Sequence, residues 1–270
     1  MLKFRTVAML AGVTLFGAAC GGPEELPQES KPMTFEEFKA SLTKEDFEGG
    51  KYIFDQDIAL EESELQAYYD NNIANDLGKK SDGLAVYYVG GDIKWSSTAA
   101  RNLTYCVSKT SFGTRYNTVV SAMSSAAAAW EATANVNFVH SSTYDTNCTA
   151  SQTAVVFDVR QVSGQSYTAR AFFPNSSRSA RNVLIDSSAF GNLGVWTLTG
   201  VLRHELGHTL GFRHEHTRLS STGCYEDANW RGLTTYDAAS VMHYPQCRGT
   251  QTGDLVLTSL DKSGARALYP

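Results

Sequence analysis

The chain has 270 residues, of which 42% are apolar and 19% are charged, and its formal net charge is −5. This is enough chain for one large domain or two small ones with a real hydrophobic core, and the apolar content excludes a disordered protein. The long uncharged apolar run lies within the first twenty residues and is too short to span a bilayer, which excludes a polytopic membrane protein. Nucleic acid is not expected as a partner, because the charge balance is not basic and no Lys/Arg cluster with interleaved aromatic residues is present.

Charge is unevenly distributed along the chain. Residues 1–20 have a net charge of +2, residues 21–93 carry 6 Lys/Arg against 17 Asp/Glu, and residues 94–270 carry 15 against 11. An acidic part followed by a mildly basic part suggests two regions with different roles. We therefore divide the chain into a leader (1–20), a tether with an acidic segment (21–93) and a larger domain (94–270).

The first twenty residues have the pattern of an export signal. Residues 1–5 are positive, residues 6–16 are apolar, and small residues precede Cys20. Gly-Ala-Ala-Cys followed by Gly-Gly-Pro resembles a bacterial lipobox, in which Cys20 is acylated and becomes the new N-terminus. We expect export from a bacterial cell and attachment to a membrane surface through an acyl chain on Cys20, with plain secretion as the alternative.

The remaining cysteines, Cys106, Cys148, Cys224 and Cys247, form an even set in an exported chain. A cysteine-based zinc site is not expected, because no Cys-x-x-Cys spacing occurs, so disulfides are the simpler interpretation. Four cysteines permit three pairings, and proximity along the chain favours Cys106–Cys148 and Cys224–Cys247.

The predicted elements follow in chain order. The acidic segment is expected to contain, after a Pro/Glu-rich tether at 21–31, a helix with a capping-box start at 34–47, a strand at 51–60, a helix at 61–77 and a strand at 84–89. The larger domain is expected to contain strands at 102–108, 136–140, 154–162, 169–173 and 182–185, an alanine-rich helix at 118–133 and a helix from about Leu198. Everything after Gly211 is expected to be rich in loops.

The strongest chemical signal is the stretch HELGHTLGFRHEHTR, which starts at His204. His204 and His208 are four residues apart on a predicted helix, so both imidazoles project from one face and suit two ligands of a tetrahedral Zn²⁺. Glu205 can accept the proton of a metal-bound water. Gly211 can end the helix with a positive φ and turn the chain back, which brings His214 up as third ligand. Three protein ligands leave one position for water, as a catalytic site requires.

Other histidines could join this site, but His214 has the better spacing. These histidines are His140, His216 and His243.

The set His204, Glu205, His208, Gly211 and His214 matches the long zinc signature of the metzincin metallopeptidases. Downstream, the stretch SVMHY at 240–244 resembles their Met-turn, which runs beneath the metal and has Met242 at its centre.

The stretch GFRHE at 211–215, with Arg218 and Tyr244, resembles the astacin branch of that family. The chain as a whole is similar to the bacterial HEIGH-type metallopeptidases, relatives of the myxobacterial protease B, with Leu206 in place of the isoleucine.

This resemblance implies an α+β zincin fold, in which a twisted, mixed and mostly parallel sheet packs against the alanine-rich helix and the zinc helix. It implies a monomeric zinc endopeptidase with one catalytic Zn²⁺ and a protein or peptide as substrate. Glu205 would be the general base, and Tyr244 would help zinc to stabilise the oxyanion. Residues 169–173 would form an edge strand that pairs with extended substrate. The alternative is a non-catalytic zinc-binding surface lipoprotein, such as an adhesin or a pseudo-protease.

The resemblance to astacin-like zymogens implies that an aspartate of the prosegment binds the zinc. In those zymogens the aspartate lies within a Phe-x-Gly-Asp motif. Residues 54–57 keep the Phe and the Asp but lack the Gly, and residues 89–92 keep Gly-Asp but lack the Phe. We hypothesise that one of these carboxylates, Asp57 in preference to Asp92, occupies the water position and keeps the enzyme latent. An acidic segment that docks on a basic domain is consistent with this hypothesis. The alternative is an ordinary solvated acidic subdomain.

Overall fold

The computed structural model describes residues 33–47, 49–54, 57–72, 84–218, 224, 229–251 and 254–270. The predicted leader with Cys20, the tether, and the end of the helix expected at 61–77 lie outside these residues. Residues 33–270 belong to one compact unit. None of the described helices has both the length and the apolar composition that a membrane crossing requires.

The described residues form ten strands and seven α-helices. The strands are β1 (Thr43–Lys44), β2 (Tyr52–Phe54), β3 (Ile58–Leu60), β4 (Ala85–Tyr87), β5 (Leu103–Val107), β6 (Phe138–His140), β7 (Phe157–Val162), β8 (Ala169–Arg170), β9 (Asn182–Asp186) and β10 (Trp230–Gly232). The helices are α1 (Phe35–Ser41), α2 (Glu62–Asn72), α3 (Ser97–Ala100), α4 (Lys109–Phe112), α5 (Tyr116–Glu131), α6 (Leu198–Thr209) and α7 (Ser259–Leu268).

A five-stranded mixed sheet in the order β6-β5-β7-β9-β8 forms the centre of the larger domain. The pairs β5–β6, β5–β7 and β7–β9 are parallel, whereas β8 is antiparallel to β9 and forms the edge. All five residues of β9 are buried, as expected for a strand covered on both faces. The predicted α+β class with a mostly parallel sheet is therefore confirmed, and the expected edge strand at 169–173 forms over its first two residues.

Two helices lie close together because the residues between them are small. The alanine-rich helix α5 buries Ala126 and Ala127, and its Trp130 donates an indole hydrogen bond of 2.9 Å to the carbonyl of Arg203 in α6. A side chain on Gly207 of α6 would place its Cβ only 2.3 Å from the sulfur of Met242. These contacts hold α6 in one position above the chain segment that contains Met242.

The acidic segment differs from its predicted elements in two places. The first helix keeps its capping box between Thr34 and Glu37 but ends at Ser41, because Leu42 is extended and leads into β1. The expected strand at 51–60 is a hairpin of β2 and β3, which pair antiparallel. Asp55 and Gln56 of this hairpin lie outside the described residues.

The C-terminal part contains a helix that was not predicted, since everything after Gly211 was expected to be rich in loops. Helix α7 starts with a capping box between Thr258 and Asp261 and buries Ala265 and Leu268. Its four buried positions, 261, 264, 265 and 268, have the i, i+3, i+4, i+7 spacing of a helix, but two of them are Asp and Gly and not apolar residues. The capping spacing Thr-x-x-Asp was the usable signal.

Strand β4 lies within the part of the chain assigned to the acidic segment, yet it pairs antiparallel with β10 of the larger domain. The domain boundary at residue 93 stays a prediction.

The rest of the acidic segment, residues 33–72, packs on the edge of the five-stranded sheet. Ile53 and Ala59 from its hairpin are buried against Tyr167 and Leu184. The backbone of Ile58 forms a parallel bridge with Ala171, just beyond β8. This part of the segment therefore extends the sheet at its edge.

Lys51 is a buried cation in this interface. Its side chain is 5% exposed, and its Nζ has no hydrogen-bond partner among the described residues. Burial first, and then the positive charge of Arg170, lowers the pKa of Lys51 to about 7, although Glu61, Glu45 and Glu64 act in the opposite direction. Lys51 therefore destabilises the folded chain wherever it must be protonated.

We expect Lys51→Met to raise the free energy of unfolding by roughly 1–3 kcal/mol at pH 7, because methionine fills the same volume without a buried amine. Between pH 7 and about 10.5 the unfolded chain binds the Lys51 proton and the folded chain does not, so the wild type gains stability as pH rises. The advantage of the variant should therefore shrink towards pH 10.

Denaturant unfolding at a series of pH values measures this effect. Lys44→Met is the matched control, because the Lys44 side chain is 53% exposed in the same segment and its loss should change stability by less than about 0.5 kcal/mol. A Lys51→Met protein that is less stable than the wild type, or whose advantage does not depend on pH, would contradict this account.

Candidate metal centre and cleft

Helix α6 and the turn after it place three histidines around one point. The side chain of Thr197 caps the helix by accepting a hydrogen bond from Gly200 N. The helix ends before Gly211, whose φ is +101°. A Cβ at Gly211 would lie 2.1 Å from the carbonyl oxygen of Ile93, so this turn requires glycine. The turn returns His214 to the face that carries His204 and His208.

The Nε2 atoms of His204, His208 and His214 form a triangle with sides of 3.2 Å. The Nδ1 atom of His204 lies 2.7 Å from the carbonyl oxygen of Val241, and that of His208 lies 2.8 Å from the carbonyl of Phe212. A carbonyl can only accept, so Nδ1 carries the proton in both rings and Nε2 presents a lone pair to the centre.

This donor set fits Zn²⁺. Nitrogens that occupy corners of a tetrahedron with arms of about 2.05 Å lie about 3.3 Å apart, close to the observed sides of the triangle. Lone pairs that converge in a buried site without a proton between them require a cation. The three histidines are therefore the residues that would hold the metal, with the Nδ1 hydrogen bonds fixing two of the rings.

The segment 240–244, the proposed Met-turn, lies against this site. Met242 is fully buried against α6, and the carbonyl of Val241 receives the His204 hydrogen bond. Asp261 of α7 accepts hydrogen bonds from the Ser240 hydroxyl at 2.5 Å and from Val241 N at 2.8 Å. Asp261 is thus a positioning residue that the sequence analysis missed, and the capping spacing at Thr258 was the signal that could have found it.

Of the two aspartates proposed for latency, the structure brings only Asp57 to the histidines. Its carboxylate oxygens lie 3.3 Å from the Nε2 atoms of His204 and His214 and 3.6 Å from that of His208. Asp92 lies elsewhere and forms an ion pair with Arg231 at 2.6 Å. Burial alone would raise the pKa of Asp57, but its interactions with His214, His208 and His204 outweigh burial and hold that pKa well below its usual value.

Glu205 and Tyr244 face the same cavity, which has a volume of about 160 Å³ and is also lined by Trp196, Val201 and Leu255. The Tyr244 hydroxyl donates a hydrogen bond of 2.5 Å to Asp57. Glu205 is 2% exposed, and its Oε2 has no hydrogen-bond partner among the described residues. Burial first, and then the negative charge of Asp57, raises the pKa of Glu205 well above its usual value.

The other three histidines are not members of the triangle. His216 stacks on His214 with ring centroids 4.8 Å apart, His243 lies 2.7 Å from the hydroxyl of Tyr236, and His140 pairs with the buried Asp145.

The cysteines form the two disulfides that proximity along the chain favours, Cys106–Cys148 and Cys224–Cys247.

Comparison with known families matches residues 94–221 to the matrixin peptidase family. Two relatives from Oryzias latipes, high choriolytic enzymes 2 and 1, are each 36% identical to this chain over 70 residues. Each match covers 20% of this chain and only 25% or 26% of the relative, so the chain spans about a quarter of these relatives.

Two solved structures are similar in part. One is the structure of myroilysin, with a TM-score of 0.46 and 17% identity over 69% of this chain and 98% of the other. The second is high choriolytic enzyme 1, a hatching enzyme zinc-protease from Oryzias latipes (medaka fish), with a TM-score of 0.41 and 18% identity over 65% of this chain and 96% of the other.

The matrixin match covers α6, Gly211 and the three histidines whose spacing fits zinc. Over residues 94–221 the chain is therefore similar to the matrixin family of metallopeptidases.

Proposed function

We propose that this protein is an exported zinc endopeptidase that is made in a latent form. The observation that carries the proposal is the meeting of three zinc-suited histidines and a buried glutamate with a free carboxylate oxygen in one cleft. When bound there, Zn²⁺ supplies a Lewis acid that lowers the pKa of a water molecule and polarises a peptide carbonyl. The substrate would be a protein or peptide.

Glu205 is the proposed general base. Its Oε2, which has no partner among the described residues, is available to take a proton from the attacking water and then to give it to the leaving amine. The Tyr244 hydroxyl lies on the same side of the cavity as Asp57, and once Asp57 leaves, it can donate its hydrogen bond to the developing oxyanion.

The acidic segment is the proposed prosegment. Asp57 occupies the open side of the histidine triangle, and the carbonyl of Asp57 accepts a hydrogen bond of 3.2 Å from Ala171 N beside the edge strand. Extended substrate would need the same edge and the same open side. The segment therefore supports latency by occupying both.

Export is proposed from the leader and from the two disulfides, which are characteristic of oxidising compartments. The further proposal of a lipid on Cys20, with attachment at the outer membrane or cell surface, depends on the leader sequence alone. A monomer is proposed.

Purified protein is expected to contain about one zinc per chain, to lose it to a chelator, and to lose peptidase activity with it. Elemental analysis and a peptide-library digest with and without chelator, analysed by mass spectrometry, measure both. Because the metal binds the folded chain, its removal should also lower the Tm, and His208→Ala should lower zinc content without chelator.

A protein that binds zinc but cleaves no peptide after maturation would support the alternative of a non-catalytic zinc-binding lipoprotein. His140→Ala is the matched control for zinc content, because His140 lies outside the triangle.

A further inference from the structure

We propose that the metallopeptidase domain has a second binding site, for a carboxylate, formed by Arg170, Tyr167 and Asn182 on the outer face of the sheet edge. We call it the Arg170 pocket. In the latent chain Glu45 fills it. The proposal rests on the proposed function in one respect: after the acidic segment leaves, an acidic side chain of a bound polypeptide takes the place of Glu45.

The pocket holds the Glu45 carboxylate with a geometry specific for that group. Arg170 donates from Nε to Oε1 at 2.8 Å and from Nη2 to Oε2 at 2.9 Å, and the Tyr167 hydroxyl donates to Oε1. Such a two-pronged pair is the preferred arrangement of a guanidinium with a carboxylate. Lys51 N also donates to Oε2, at 3.0 Å, but it belongs to the acidic segment.

The domain itself supplies and fixes the donors. The third arm of the guanidinium, Nη1, donates to Asn182 Oδ1 at 2.7 Å, which sets the orientation of the other two arms. Arg170 is 1% exposed and Asn182 is 2% exposed. These residues lie on the adjacent strands β8 and β9, and Tyr167 lies two residues before β8. Loss of Glu45 would therefore leave an oriented, desolvated cation without its anion.

Arg170 and Asn182 are not among the described residues that line the zinc cleft, whereas Tyr167 is. The pocket lies next to the path of the segment along the edge. Ala169 and Ala171 point into the main core, so the alternation of the strand places Arg170 on the opposite face. Ala171 N is the group that pairs with the backbone of Asp57. A polypeptide that replaces the segment along β8 would therefore pass beside the Arg170 pocket.

Chemical rescue in the full-length chain tests the pocket without any peptidase assay. Glu45→Ala should lower the Tm by roughly 10 °C, because it leaves the Arg170 cation buried and unpaired. Sodium propionate should restore about 3–5 °C relative to sodium chloride at equal ionic strength. If the variant is insoluble, the refolding yield in propionate against chloride is the readout.

Two proteins are the matched controls, and neither should respond to propionate. In the wild type Glu45 fills the pocket, and in the double variant Glu45→Ala/Arg170→Met the cation is removed. Equal shifts in all three proteins, or none in Glu45→Ala, would overturn the pocket. N-acetylalanine imitates the end of a chain, and a larger shift with it than with propionate would overturn the assignment to acidic side chains.

The matured protein tests the occupant. The test uses pairs of peptides in which Glu is replaced by Gln at a single position, and each pair tests a different position. At one of these positions the wild type should cleave the Glu peptide with a kcat/KM about tenfold higher, and Arg170→Gln should remove this preference. If Arg170→Gln discriminates between the Glu and Gln peptides as well as the wild type does, an acidic substrate side chain is not the occupant of the Arg170 pocket. Absence of cleavage by both proteins would overturn the proposed function, while the rescue experiment would still decide the pocket.

Discussion

Full-length protein with Asp57→Ala is expected to cleave peptides roughly 10- to 100-fold faster than the full-length wild type. The carboxylate of Asp57 lies within 3.3–3.6 Å of all three histidine Nε2 atoms and is the only described carboxylate in that group. Its removal frees the open side of the triangle for water. The gain is limited because the Arg170–Glu45 pair and the backbone contact at Ala171 still hold the segment.

Initial rates on a fluorogenic peptide, measured before any maturation occurs, test this expectation. Asp92→Ala is the matched control: it removes the other aspartate of the original hypothesis, whose partner is Arg231, and it should leave the full-length chain latent. Wild-type full-length protein that cleaves as fast as a matured form that lacks residues 33–72 but keeps β4 would show that the segment is not inhibitory.

Glu205→Gln in the Asp57→Ala chain is expected to lower kcat/KM by about 10³-fold or more while zinc content stays unchanged. Glutamine has the shape of Glu205 but cannot take up a proton, so both proton transfers are lost while the histidine triangle stays intact. The Asp57→Ala background is needed because an inactive protein cannot mature itself.

Activity and zinc content should be measured on the same samples. Glu131→Gln is the matched control, because Glu131 lies in the same domain and accepts a backbone hydrogen bond that glutamine can still accept. Undiminished activity in Glu205→Gln would reject Glu205 as the base. Joint loss of zinc and activity would show instead that Glu205 is needed for metal binding.

The part of the site contained in one short stretch was predictable from the sequence. Helical geometry places His204 and His208 on one face, and Gly211 must turn the chain because its φ is positive and its Cβ would collide with Ile93. The edge strand and the two disulfides also followed from local signals. In each case the information lies within a few tens of residues.

Contacts between distant residues were decided only by the tertiary structure. Two incomplete motifs made Asp57 and Asp92 both eligible, with Asp57 preferred. The fold, which joins Tyr244 to Asp57 across 187 residues and pairs Asp92 with Arg231, brings only Asp57 to the histidines. Helix α7 with Asp261 was missed because two of its four buried positions are Asp261 and Gly264, which are not apolar.

The sequence by itself determined the candidate metal ligands, the proposed base and the class of fold, because short-range spacing and backbone geometry fix those features. The tertiary structure decided what occupies the cleft and the sheet edge. Glu45 and Arg170 are 125 residues apart and resemble ordinary surface charges in the sequence. They become a buried pair only because the acidic segment packs on β8, where water is excluded and each charge requires the other.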